Sequence, residues 1–144
     1  MIRPVVLAGV PCVHLESASS VPGLSTSVFF GSSHEAVPPL PIGVPVFIYA
    51  SIPPHPLFKP GLYSWTGTLA SVVRAVESGP RAGKCPDPSR RPPTAEAKDG
   101  PALYFWEVQN LQPLATPRPL ADFKSKTSIN EVPRWPVVAE LDDY

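Results

Sequence analysis

A chain of 144 residues, 43% of them hydrophobic, is long enough to form one domain with its own core, without disulfides or a structural metal. Its 12 basic and 12 acidic residues give a net charge of zero, which excludes the overall cationic field of proteins that coat DNA or anionic lipid. The 22 prolines disfavour long helices, because each proline fixes φ and removes a backbone donor, so short strands joined by loops are expected.

The first part of the sequence predicts two strands around one short helix. Residues 2–13 form an apolar run broken by two prolines, which predicts a short strand that leads into a loop. Apolar residues at helical spacing over 14–23 predict one or two helical turns that end at a Pro-Gly pair. Residues 26–31 carry β-branched and aromatic side chains, as a second strand does.

The middle of the sequence predicts the centre of the sheet. Residues 44–51 are almost continuously apolar, which predicts a central strand buried on both faces. After a proline-rich loop over 52–61, residues 62–76 predict one long strand, which Gly67 should bend or bulge. Residues 78–101 hold six prolines and three glycines but hardly a large apolar residue, so they predict a long surface loop with no part in the core.

The C-terminal part predicts the remaining strands. Residues 102–109 predict another strand, followed by an irregular crossover over 111–119 and a helical turn at 120–123. Residues 137–141 predict a last strand that closes the sheet. The expected fold is α+β, mainly β: a single domain over residues 1–144 with five or six strands and two short helices.

Three segments, in this order, resemble the PUA-like superfamily, the small pseudo-barrels that include PUA, ASCH and EVE domains. They are GVPVFIYAS at 43–51, WTGTLASVV at 65–73, and YFWEVQNLQPL at 104–114 with PLADF at 119–123. The segment SVFF at 27–30 is similar to the strand before the glycine turn in an uncharacterised archaeal branch of that superfamily. The resemblance implies a PUA-like curved sheet or pseudo-barrel with helices over one opening. It also implies a cleft that, in relatives, receives RNA or a single modified base, and relatives bind more often than they cleave.

Candidate ligand contacts lie where strands end in loops. Tyr49 and Trp65 each adjoin a small polar residue and an expected loop, so we predict that they line the cleft together with Ser51 and stack on a base. Ser32 and His34 are predicted to make polar contacts at the rim of the cleft. For any single aromatic residue, packing in the core is the alternative.

Basic residues are concentrated between positions 59 and 91. We predict that Lys59, Arg74, Arg90 and Arg91 contact phosphate, because neutralising the nucleic-acid backbone supplies much of the affinity. The alternative is a charged loop that only keeps the protein soluble.

Glu107 lies within an apolar strand, which leaves two alternatives for its carboxylate. It faces water on an alternating strand, or it accepts hydrogen bonds from a base edge. A buried carboxylate in this position would need a partner or a raised pKa. We expect the side chain to face water.

The sequence predicts no catalytic residue, no metal site and no cofactor. Cys12 and Cys85 are too far apart for a metal knuckle, and the three histidines, expected in loops, have no partner at metal-ligand spacing. A serine, a histidine and a carboxylate are adjacent at 32–35, but neighbouring residues rarely converge on one reacting atom.

We therefore expect a non-catalytic module that binds RNA or a modified nucleotide. One alternative is a protein-interaction module that presents the proline-rich segments 52–60 and 86–93 as polyproline-like ligands. A nucleotide hydrolase is the remaining alternative. No sequence signal indicates a membrane span or a leader, so a cytoplasmic location is expected, and the loop prolines are one route to heat resistance, as in a thermophilic source. The oligomeric state stays open.

Overall fold

The computed structural model describes residues 2–33, 39–51, 62–98, 101–124 and 136–142. Within those ranges the strands are Ile2–Val10 (β1), Ser27–Ser32 (β2), Pro45–Ala50 (β3), Leu62–Arg74 (β4), Tyr104–Pro119 (β5), Phe123–Lys124 (β6) and Val137–Asp142 (β7). The helices are Cys12–Ser20 (α1) and Pro93–Lys98 (α2), with 3-10 turns at Leu24–Thr26, Pro88–Arg90 and Leu120–Asp122. The protein is thus mainly β with two helices, which confirms the α+β class.

The strands form one open mixed sheet in the order β2-β5-β4-β3-β1-β7-β6. Only β1 and β3 pair in parallel, and the other neighbours are antiparallel. The described part of the chain has seven strands where five or six were expected, and β6 is only two residues long. A PUA-like pseudo-barrel stays a prediction, because the hydrogen-bonded order ends at β2 and β6 without closing.

The middle of the sheet is buried on both faces, as predicted for 44–51. In β3, Val46, Phe47 and Ile48 are at most 5% exposed although they point alternately to opposite faces. The first core lies on one face and includes Val6, Ala8, Val46, Ile48, Trp65, Leu69, Trp106 and Val108. The second core lies on the other face and consists of Val5, Leu7, Phe47, Tyr63, Phe123, Ala139 and Leu141.

Helix α1 covers the first core. It spans Cys12–Ser20, so it begins two residues and ends three residues before the predicted range 14–23. Its residues Cys12, Leu15 and Ala18 pack into the first core. His14 is not the loop residue that we expected: it is buried in α1, and its Nδ1 lies 2.8 Å from the hydroxyl of Thr94 in α2.

The long strand β4 is irregular at Gly67, as predicted. Its register against β5 shifts between Thr66 and Thr68. A Cβ added at Gly67 would lie 2.3 Å from Cγ1 of Val108, so a larger side chain does not fit there. The bulge therefore lets β4 and β5 pass close to each other while the strands change direction.

Two predictions for the C-terminal half were only partly right. Residues 111–119 are not an irregular crossover, because β5 continues to Pro119 and pairs with the start of β4. The register shifts between the pairs Tyr63–Arg118 and Trp65–Pro113, so Pro117 lies within a bulge, where a strand tolerates proline. The 3-10 turn at Leu120–Asp122 agrees with the predicted helical turn. The last strand β7 is present as predicted, but it lies between β1 and β6 and does not close the sheet.

The segment predicted as a surface loop without core residues, 78–101, contributes to the core. Cys85 is fully buried and forms the third core with Phe29, Ala75 and Phe105. Ala95 in α2 is 1% exposed. We call residues 81–92 the strap, because Cys85, Arg90 and Arg91 of this segment contact side chains or backbone of β2 and β5. The prediction failed because small and polar residues, rather than large apolar ones, make these contacts.

Candidate functional site

The two aromatic residues predicted to line one cleft lie on opposite faces of the sheet. Trp65 is 4% exposed and belongs to the first core. Tyr49 is half-buried and packs against the second core, where its ring meets that of Tyr63 edge-on at 6.2 Å. Trp65 therefore packs in the core, which was the alternative considered for any single aromatic residue. The two rings do not face a common ligand.

The predicted polar contacts are also separated. Ser51 follows β3 and donates its backbone N–H to Val10 at 3.0 Å. Ser32 ends β2 and pairs with Tyr104, and β2 is three places from β3 in the sheet. Burial raises the pKa of Tyr104, and the Ser32 hydroxyl partly offsets that shift. His34 lies outside the described residues.

The four predicted phosphate contacts have different environments. Arg91 is 5% exposed, so it is not a surface cation. Arg90 is about half exposed, but it is ion-paired with Asp87 at 3.2 Å. Arg74 is exposed at the end of β4. Lys59 lies outside the described residues. Of this group, Arg74 best meets the requirement for a contact with phosphate.

Arg74 lies at the rim of a pocket of about 280 Å³. The lining residues are Arg74, Ala75, Val76, Glu77, Gly83, Ala102 and Leu103. Three chain segments build the pocket through backbone hydrogen bonds. Val76 accepts from Gly83 at 2.8 Å, and Gly83 accepts from Ala102 at 2.9 Å. Five of the seven lining residues are apolar or glycine, and Arg74 and Glu77 are the charged ones.

Glycine is required where the turn reaches the pocket. Gly83 has φ +81°, and a Cβ there would lie 2.6 Å from Cβ of Pro101. Gly79, at φ +88°, allows the tight turn in which Ala82 donates to its carbonyl at 3.1 Å. These two glycines bring Arg81 and Lys84 to the same end of β4 as Arg74.

The charge around the pocket is positive. Over residues 74–84, Arg74, Arg81 and Lys84 outnumber the single carboxylate, Glu77. Arg81 also donates to the carbonyl of Cys85 at 3.1 Å, so part of its role is to hold the turn. Within the described residues, the side chain of Arg74 makes no ion pair or hydrogen bond, so its guanidinium group is available to a ligand.

A polar cluster lies on the face of β2, β5 and β4 that the strap covers. Contrary to the prediction that it faces water, Glu107 is buried, and it accepts hydrogen bonds from the hydroxyls of Ser27 and, at 2.8 Å, Ser71. Arg90 lies 3.5 Å from the same carboxylate and donates to Ser27 at 3.2 Å. The general rule that a buried carboxylate needs a partner would have found this cluster.

The proline-rich segment 86–93 is not an extended polyproline-like ligand. Pro88–Arg90 form a 3-10 turn, and α2 begins at Pro93. Pro92 is buried, so a partner has no access to one of the four prolines. This half of the protein-interaction hypothesis therefore loses its support, and segment 52–60 lies outside the described residues.

Features of other protein classes are absent from the described ranges. No helix there is long and apolar enough to cross a membrane. In the same ranges, no three histidine, cysteine, aspartate or glutamate side chains come together as ligands for a metal ion. Cys12 and Cys85 are both buried, and neither forms a disulfide.

No protein-family model matches the chain, and no curated protein is significantly similar to it. The PUA-like resemblance stays a prediction.

Proposed function

We propose that the chain is a non-catalytic module that binds RNA or a single modified nucleotide, with a phosphate of the ligand at Arg74 and its base in the adjacent pocket. The observation that carries the proposal is that Arg74, an exposed residue, lines a pocket of about 280 Å³. An arginine fork matches the geometry of phosphate oxygens, and it keeps its charge at all physiological pH values.

The size and lining of the pocket fit one nucleoside better than a larger ligand. A volume of about 280 Å³ lies just below the range of ~300–1,000 Å³ that is typical of small-molecule sites. Val76 and Leu103 offer apolar contact for a base, and the Glu77 carboxylate can accept hydrogen bonds from amino groups on a base edge. The surrounding excess of positive charge favours the phosphate.

Electrostatic attraction, more than stacking, should supply the affinity. No aromatic ring from the described part of the chain lines the pocket, and Trp65 is enclosed in the first core. Binding should therefore depend steeply on salt, since each phosphate contact releases counterions.

The test is fluorescence anisotropy with a labelled single-stranded RNA oligonucleotide over a series of salt concentrations. For Arg74→Gln we expect weaker binding and a slope of log K against log salt that is smaller by about 0.7. The matched control is Lys124→Gln, which removes one exposed charge on β6, at the far end of the sheet order. It should leave both affinity and slope unchanged. No binding by the wild-type protein at low salt would contradict the proposal, as would an unchanged slope for Arg74→Gln.

A further inference from the structure

Strand β2 is an edge strand that has the properties of an aggregation-prone edge. It ends the hydrogen-bonded order of the described strands, so alternate residues direct their backbone N–H and C=O groups away from β5. Its sequence over Ser27–Ser32, SVFFGS, contains no charge and no proline. An edge of this kind invites another strand unless something covers it.

Arg91 of the strap occupies that edge. Its Nη1 donates to the carbonyl oxygen of Phe29 at 3.0 Å, and its guanidinium group lies 4.9 Å from the centre of the Phe105 ring. Because the residue is only 5% exposed, these contacts are largely shielded from water. The guanidinium group thus takes the place that an N–H of an added strand would need.

Two further contacts hold the strap beside β2. Cys85 is fully buried against Phe29 and Phe105 in the third core. Arg90 donates to Ser27 at 3.2 Å, but its side chain is 49% exposed, so water and salt screen this contact. Arg91 is therefore the residue on which coverage of the edge depends most.

We propose that the strap covers the edge of β2 and so prevents another strand from pairing with it. When the edge is uncovered, it binds β2 of a second copy of this chain as an antiparallel pair. Two copies related by a two-fold axis present the same strand to each other. Since β2 carries no charge, the pairing brings no like charges together, and the backbone hydrogen bonds of the two strands supply the contact. Intact contacts of Arg91 keep the protein from associating in this way.

Sedimentation analysis of Arg91→Ala across a range of protein concentrations tests the proposal. We expect its dimer dissociation constant to be at least about tenfold lower than that of the wild-type protein, a difference of ~1.4 kcal/mol. The matched control is Arg118→Ala. Arg118 also lies over an aromatic ring, 6.0 Å from the centre of Phe47, and pairs with Asp122, but it is not beside β2. The Arg118→Ala variant should have the same dimer dissociation constant as the wild-type protein.

Hydrogen exchange locates the new contact. In Arg91→Ala, peptides over residues 27–32 should exchange faster than in the wild-type protein when dilute, and slower once the dimer forms. Folded Arg91→Ala that sediments like the wild-type protein would overturn the proposal, as would a dimer that leaves 27–32 unprotected.

Arg91→Lys serves if the alanine variant does not fold. Lysine keeps the charge but loses the planar fork over the Phe105 ring. We therefore expect Arg91→Lys to dimerise more tightly than the wild-type protein but less tightly than a protein with a fully uncovered edge. If only Arg91→Lys folds, association equal to that of the wild-type protein would overturn the proposal.

Discussion

The centre of the sheet and its β2 end bury their second faces in different ways. At the centre, Phe47 of β3 is covered by apolar side chains of the second core. At the β2 end, the corresponding face is covered by the strap, through Cys85, a buried arginine and a carboxylate with two serine hydroxyls. The difference shows that a proline-rich, charged segment can close a core when most of its buried polar groups have partners, as the Glu107 carboxylate and Nη1 of Arg91 do. Basic residues in such a segment make contacts within the protein, and this has to be considered before they are assigned to a ligand.

The largest effect is expected from Ile48→Ala, at the centre. Ile48 is fully buried in the first core, so the substitution should lower the free energy of unfolding by about 2–5 kcal/mol. The control is Ile42→Ala, at a residue that is 57% exposed, which should change stability by no more than about 0.5 kcal/mol. Urea unfolding measures both. Equal losses of unfolding free energy at the two positions would contradict a tightly packed centre.

A smaller effect is expected from Glu107→Gln, at the β2 end. The amide cannot accept hydrogen bonds at both of its terminal atoms, and the ion pair with Arg90 is lost. We expect a loss of about 1–2 kcal/mol, at the lower end for charged hydrogen bonds because Arg90 is half exposed. Urea unfolding of Glu77→Gln, an exposed carboxylate, provides the baseline. If both variants unfold alike, the cluster contributes no stability.

Tyr63, in the second core, makes the stability of the folded protein depend on pH in the alkaline range. Burial, and then the nearby Tyr49, raise the pKa of Tyr63 above its ordinary value of 10.0. The folded protein therefore keeps a proton that the unfolded chain releases, and stability falls as pH rises above about 10, by at most ~1.4 kcal/mol per pH unit. This contribution is intact below that pH.

Tyr63→Phe should lose less stability between pH 8 and pH 11 than the wild-type protein. Within the described residues the Tyr63 hydroxyl is buried with no hydrogen-bond partner, so its removal should cost little at pH 8. Urea unfolding at the two pH values gives the comparison. The same alkaline loss in both proteins would show that the Tyr63 phenol is not the titrating group.

The sequence predicts the centre of the fold best. Hydrophobic pattern alone locates β3 and its two buried faces, and a glycine within an apolar run locates the bulge at Gly67. It does not predict that β5 continues through three prolines, because that depends on pairing with β4 across many residues. Nor does it predict the strap, whose buried contacts come from Cys85, Arg91 and Ala95 rather than from an apolar run.

The sequence predicts the candidate site less well. A cluster of cations was visible, and Arg74 belongs to it, but composition does not tell an exposed arginine from a buried one. That Arg91 is enclosed follows only from the way the strap folds back on Phe29 and Phe105. Likewise, Tyr49 and Trp65 both precede or follow loops, but the register of β3 and β4 sends their rings to opposite faces.

The most direct test of where the ligand binds is amide chemical-shift mapping of the labelled protein during titration with a short single-stranded RNA. We expect the largest shifts at residues 74–77, at Gly83 and at residues 102–103, which surround the pocket. Shifts centred on Tyr49 and Ser51, or no saturable shifts at low salt, would contradict the assignment of the site to Arg74 and its pocket.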